Sequence, residues 1–124
     1  MTLRLFLLIL ASVSLSAVAQ IALKAGMSTP SVIGAMRGAP AREFLFEVAT
    51  NARVVGGLML YFASAALWLL VLARMPVSAA YPFVGMGFVL TMLLGWLFLG
   101  ESVGLSRLGG TALVALGVVL IARG

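Results

Sequence analysis

The chain has 124 residues, of which 64% are hydrophobic and only 9% charged, with a mean hydropathy of +1.25. A water-soluble domain is about one-quarter charged and half apolar, so this chain cannot cover itself with a hydrated surface and reads as an all-α membrane protein. It has no Cys and no His, which excludes a disulfide framework, thiolate metal sites and Ser-His or Cys-His catalysis. No catalytic residue, metal or cofactor is expected. The formal charge of +5 does not point to nucleic acid. The basic residues sit at the ends of apolar runs, where they suit phospholipid headgroups.

A membrane-crossing helix needs about 20 largely apolar residues, and four runs meet that need: residues 3–23, 54–73, 77–99 and 105–122. Two of the links, at Arg74-Met75-Pro76 and around Gly100-Glu101-Ser102, are short and force antiparallel neighbours. A single four-helix domain over residues 1–124 follows. The first run, with Ala17-Val18-Ala19 before Gln20, has the look of a cleavable signal segment. Its apolar character continues to Leu23, so it is read as a retained first span.

Arg4, Arg74 and Arg123 fall on one side of the membrane. Lys24, Arg37, Arg42, Arg53 and Arg107 fall on the other, with Glu43, Glu47 and Glu101. Taken literally, the positive-inside rule puts the long loop in the cytoplasm; a balance this even also fits insertion in both orientations. In the long loop, residues 25–53, apolar Ala41, Phe44, Leu45, Val48 and Ala52 recur at helical spacing among polar residues. That pattern fits an interfacial helix lying on the headgroups or an early start to the second span.

In the first span Ser12, Ser16, Gln20 and Lys24 are each four residues apart and form a slowly winding polar stripe. Polar groups in a span normally turn towards a bundle interior or a hydrated cavity. Small serines also serve as helix contacts, and Lys24 is near enough to the boundary to snorkel; Gln20 with Lys24 favours a polar cavity. In the second span Tyr61, Ser64 and Trp68 share a face. Their rings fit stacking on a sugar or acyl chain, or core packing. The third span contains Tyr81, Pro82, Gly85 and Gly87. Pro82 lacks a backbone donor and the glycines admit close approach, so this span either flexes at a hinge or packs tightly. In the fourth, Gly110 and Gly117 lie one heptad apart on one face, a pattern for a dimer contact or an internal one. Glu101 reads as a helix-end residue that pairs with Arg107 or caps the next helix. The span interiors contain no Asp or Glu.

The order Ala17-Val18-Ala19-Gln20, Leu23-Lys24, Leu67–Leu72, Pro76–Pro82, Leu99-Gly100-Glu101 and Gly109-Gly110 with Gly117 resembles the small four-span, EamA-like branch of the drug/metabolite transporter superfamily, above all the Arn-type flippase subunits. The likeness covers nearly the whole chain except residues 27–52, which look longer than in that branch. It implies a multi-pass protein of the bacterial inner membrane. It would work as a homodimer, or as a heterodimer with a related small subunit, moving an undecaprenyl-phosphate-linked sugar. The small multidrug resistance exporters are similar in size and in their third and fourth spans. They bear a proton- and drug-binding glutamate in the first span, where this chain has Ser16, so export of cations is disfavoured. On the flippase reading Lys24 pairs with phosphate, Gln20, Ser16 and Tyr81 bond the sugar, and Trp68 and Tyr61 offer ring faces. The alternatives are an exporter of small metabolites or amphiphilic drugs and a non-transporting accessory subunit. No P-loop occurs, so transport is passive, gradient-coupled or drawn by later consumption of the lipid.

Overall fold

The computed structural model describes residues 2–124. Its helices are α1 (Leu3–Met27), α2 (Pro30–Gly38), α3 (Ala41–Thr50), α4 (Ala52–Leu72), a third span made of α5 (Val77–Ala80), a 3-10 turn (Tyr81–Phe83) and α6 (Val84–Phe98), and α7 (Leu105–Arg123). Among the described residues, four stretches are long and apolar enough to cross a membrane: Leu3–Met27, Ala52–Leu72, Val77–Phe98 and Leu105–Arg123. The four expected spans are therefore present, with the first running four residues beyond Leu23.

Lipid offers helices no hydrophobic gain from association, so they pack where backbones can come close. Gly26 is such a place: a Cβ there would lie 2.6 Å from Val54 Cγ2. Asn51 fixes the same end. Its Oδ1 accepts from the backbone N–H groups of Arg53 and Val54, capping α4. Its Nδ2 donates to Gly26 O at 3.1 Å and to Thr29 Oγ1 at 2.9 Å, tying α4 to the end of α1. At mid-span Ser12 donates to Ser64 O at 2.8 Å. These contacts pair α1 and α4 as antiparallel neighbours. α6 and α7 are paired likewise, by Gly85 against Val114 and Val118 and by the Thr111 hydroxyl donating to Met92 Sδ at 3.3 Å.

α1 is the central helix, with α4 on one side and α6 on the other, and α7 packs beyond α6. A small core of Leu5, Ile9, Val13, Val71, Ala80, Phe83 and Val118 closes the end near Arg4. Arg4, Arg74 and Arg123 lie at this end. Lys24, Arg53, Glu101 and Arg107 lie at the other, together with α2 and α3.

Asn51 has extended backbone dihedrals, φ −74° and ψ 120°. It therefore separates α3 from α4, and α3 is a helix of its own rather than an early start to the second span. The sequence reading missed α2, although Thr29 before Pro30 is a helix-start signal and Pro30 occupies its first turn. The third span is broken where Pro82 stands, inside the 3-10 turn.

Candidate functional site

α4 and α6 both lean on α1 but leave a gap between them. A cleft of about 640 Å³ fills it, floored by α1. Ser12, Ser16 and Gln20 come from α1, and Tyr61, Ser64 and Trp68 from α4. Tyr81, Gly87, Phe88 and Thr91 come from the third span. Gln20, Tyr61, Ala65, Tyr81 and Phe88 are exposed, so the cleft opens sideways at the surface between α4 and α6.

The winding of α1 decides how its polar stripe is used. Four residues of α-helix turn through about 400°, so each step of the stripe advances by about 40° and the three steps from Ser12 to Lys24 by about 120°. One end of the stripe therefore cannot share a direction with the other. Ser12 is buried against α4, bonded to Ser64 O, and Ser64 in turn donates to Tyr61 O at 2.8 Å. Ser16 is half-buried and Gln20 exposed, both in the cleft wall. Lys24 is exposed and lies outside the lining, one turn past Gln20 at the end of α1. Trp68 lines the cleft while also packing on the core, and Tyr81 stands at the mouth, 64% exposed.

Sequence reasoning thus selected Ser16, Gln20, Tyr61, Trp68 and Tyr81, which the fold brings together. It missed Phe88 and Thr91. Thr91 was legible as a lone polar residue within an apolar helix; nothing in the local pattern marked Phe88. The residues expected to form a hinge divide by role. A Cβ on Gly85 would lie 2.7 Å from Val114 Cγ1, and one on Gly87 would lie 3.3 Å from Val13 Cγ1, so both glycines are sites of close packing; the break in helical regularity is at Pro82. Gly110 and Gly117 face open space, where an added Cβ meets nothing within 4 Å. Neither is a close internal contact, although Gly110 also borders a cavity between α6 and α7.

The lining is hydroxyls, one amide, aromatic rings and small apolar groups, with no Asp, Glu, Lys or Arg. Such a surface can bond and stack on a neutral, hydroxyl-rich group. It offers no counter-charge to a bare cation.

The family model for Small Multidrug Resistance protein matches residues 43–114. The chain belongs to the small multidrug resistance family. The matched segment of this family member starts after α1, the helix whose mid-span position is Ser16 and not an acid. A relative that covers nearly the whole chain extends across α1 as well. The protein of Shewanella sediminis (strain HAW-EB3) named "Probable 4-amino-4-deoxy-L-arabinose-phosphoundecaprenol flippase subunit ArnF" is 31% identical over 131 residues, which covers 98% of this chain and 89% of that protein. The protein of the same name from Sodalis glossinidius (strain morsitans) is 32% identical, covering 89% of this chain and 84% of its own length. A Klebsiella pneumoniae (strain 342) protein named as the corresponding ArnE subunit is 35% identical over 85 residues, 68% of this chain and 70% of its own. No solved structure matches the chain. The resemblance read from the sequence is thus borne out, and this family member is a multi-pass membrane protein with four spanning helices.

Proposed function

We propose that this chain is a subunit of a flippase that carries an undecaprenyl-phosphate-linked amino sugar across the bacterial inner membrane. The observation that carries the reading is the uncharged, hydroxyl- and ring-lined cleft open to the side between α4 and α6. A polyprenyl chain is far too long and apolar to enter a 640 Å³ cleft, and it has no need to, since lipid is its solvent. Only the sugar has to be shielded. Gln20, Ser16, Thr91 and Tyr81 are spread along the cleft and offer hydrogen bonds to its hydroxyls in turn, and the rings of Trp68 and Tyr61 offer stacking faces as it passes. Lys24, exposed one turn beyond Gln20, meets the phosphate as a compact point charge. The names of the ArnF and ArnE relatives give this cargo chemistry independent support.

A single chain leaves α7 almost uncovered, with Leu113, Leu116 and Leu120 exposed beside the open Gly110 and Gly117 face. Small residues that meet nothing in their own bundle suit a second helix at close range. The working unit is a dimer with an identical or related small chain, its translocation path near the bilayer midplane. Outward movement of one net negative charge from a negative interior gains about 2.3 kcal/mol per 100 mV; an amine on the sugar cancels that charge, so the later consumption of the lipid becomes the drive.

The test is translocation in proteoliposomes of defined composition, alone and with the related small subunit. A lipid-linked amino sugar placed in the inner leaflet becomes open to a membrane-impermeant amine reagent only if it is flipped. Acceleration over protein-free vesicles supports the proposal; unchanged exposure in both preparations overturns it.

A further inference from the structure

A second cavity, of about 440 Å³, lies between α6 and α7 at the Lys24 end of the bundle. Phe88 and Thr91 line both this cavity and the cleft, so one face of α6 separates the two. Unlike the cleft, this cavity is charged: Glu101 and Arg107 both line it.

Glu101 is placed there by its surroundings. Gly100, with φ +67°, reverses the chain in a conformation that L side chains rarely adopt. The Glu101 backbone N–H then donates to Gly95 O at 3.2 Å. The carboxylate folds over Gly95, where an added Cβ would collide with Glu101 Oε1. The side chain does not cap the next helix: α7 starts after Gly104 with no side-chain cap bond. The exposed carboxylate is thus turned back onto α6 at the rim of the cavity, instead of forward onto a free helix end.

We infer that Glu101 receives the primary ammonium of the cargo, making it the residue that distinguishes an amino sugar from a neutral one. The inference rests on the proposed flippase function and deepens it. Arg107 in the same cavity opposes a bare cation and suits a headgroup that bears both ammonium and phosphate. The neutral cleft cannot make this distinction. The headgroup is read at Glu101 and Arg107 before it enters the cleft, one helix face away past Phe88 and Thr91, so the two cavities hold it in turn and not at once.

The experiment measures binding of two lipids to the full chain in detergent: an undecaprenyl-phosphate amino sugar and the same lipid with its amine acetylated. Wild type binds the free amine about tenfold more tightly, as expected for one charge-assisted hydrogen bond. Glu101→Gln binds both lipids as wild type binds the acetylated one. Gly95→Ala, which keeps the carboxylate but displaces it, lowers the preference in the same direction while leaving thermal unfolding unchanged. Equal binding of the two lipids by wild type, or a preference that survives Glu101→Gln, overturns the inference. So does a lipophilic cation that binds as tightly as the amino lipid and is lost in Glu101→Gln, which would make this a plain cation site. Preference with no translocation in proteoliposomes sinks the flippase reading and leaves the amine assignment standing; no binding of either lipid sinks both.

Discussion

Ser12 donates its hydroxyl hydrogen to the backbone carbonyl of Ser64 across 2.8 Å, and Ser64 donates its own to Tyr61 O one turn earlier. This small relay closes the seam between α1 and α4 behind the cleft. It commits the Ser12 hydroxyl, at the floor of the cleft, to a bond within the protein, while Ser16 and Gln20 continue along the cleft wall. Ser12→Ala should therefore cost modest stability, about 0.6–1 kcal/mol, and leave translocation at the wild-type rate once folded. Thermal unfolding in micelles beside a vesicle assay checks both halves. Loss of transport in a stable Ser12→Ala protein would assign Ser12 to the cargo instead.

Asn51 performs two tasks with one amide, capping α4 through Oδ1 and holding the end of α1 through Nδ2. Asn51→Ala removes both and should destabilise the protein by about 1–2 kcal/mol. Asn51→Asp keeps the acceptor for the cap but loses the donor to Gly26 and Thr29, so it should fall between wild type and Asn51→Ala. Equal stability of Asn51→Asp and wild type would show that the bridge to α1 contributes nothing.

No acidic side chain lines the cleft, so collapse of a proton gradient at constant membrane potential should leave the translocation rate unchanged. Ser16→Glu places a carboxylate in the wall. Like charges a few ångströms apart repel by about 1–4 kcal/mol in water-rich to partly buried surroundings. Movement of a lipid phosphate should therefore slow at least about tenfold. A gradient-dependent wild type would contradict the reading of a neutral cleft.

Gly85 and Gly117 make opposite predictions although both are glycines of the spanning region. Gly85→Val forces a side chain against Val114 and Val118 and should cost about 1–3 kcal/mol through overpacking. A Cβ added at Gly117 meets no atom of its own chain within 4 Å, so Gly117→Leu has open space to grow into. It should leave unfolding of the monomer unchanged and reduce cross-linking between copies, or to the related subunit, in membranes. Intact cross-linking in Gly117→Leu would remove this face from the dimer contact.

The spans were legible because an apolar run of 20 residues has few other uses, and the cleft residues because Tyr61, Ser64 and Trp68 repeat at helical spacing. The separate fates of Ser12, Ser16, Gln20 and Lys24 were not. A one-dimensional i, i+4 pattern hides a rotation of about 40° per step, and only the position of α4 shows which step lies in the seam and which in the cleft. α2 was hidden by its shortness and mixed polarity, Phe88 by the apolar residues around it. The turn of Glu101 onto Gly95 depends on a positive φ at Gly100, which the reading of Glu101 as a cap did not anticipate.

The most direct measurement of the cleft's role is photo-labelling of the reconstituted protein by an undecaprenyl-phosphate sugar whose photoreactive group is on the sugar. If the account is right, the label maps to peptides containing Ser16 and Gln20, Tyr61 to Trp68, and Tyr81 to Thr91, and free sugar-phosphate lipid competes it away. Label confined to the exposed outer face of α7, around Leu113 and Leu120, would contradict it.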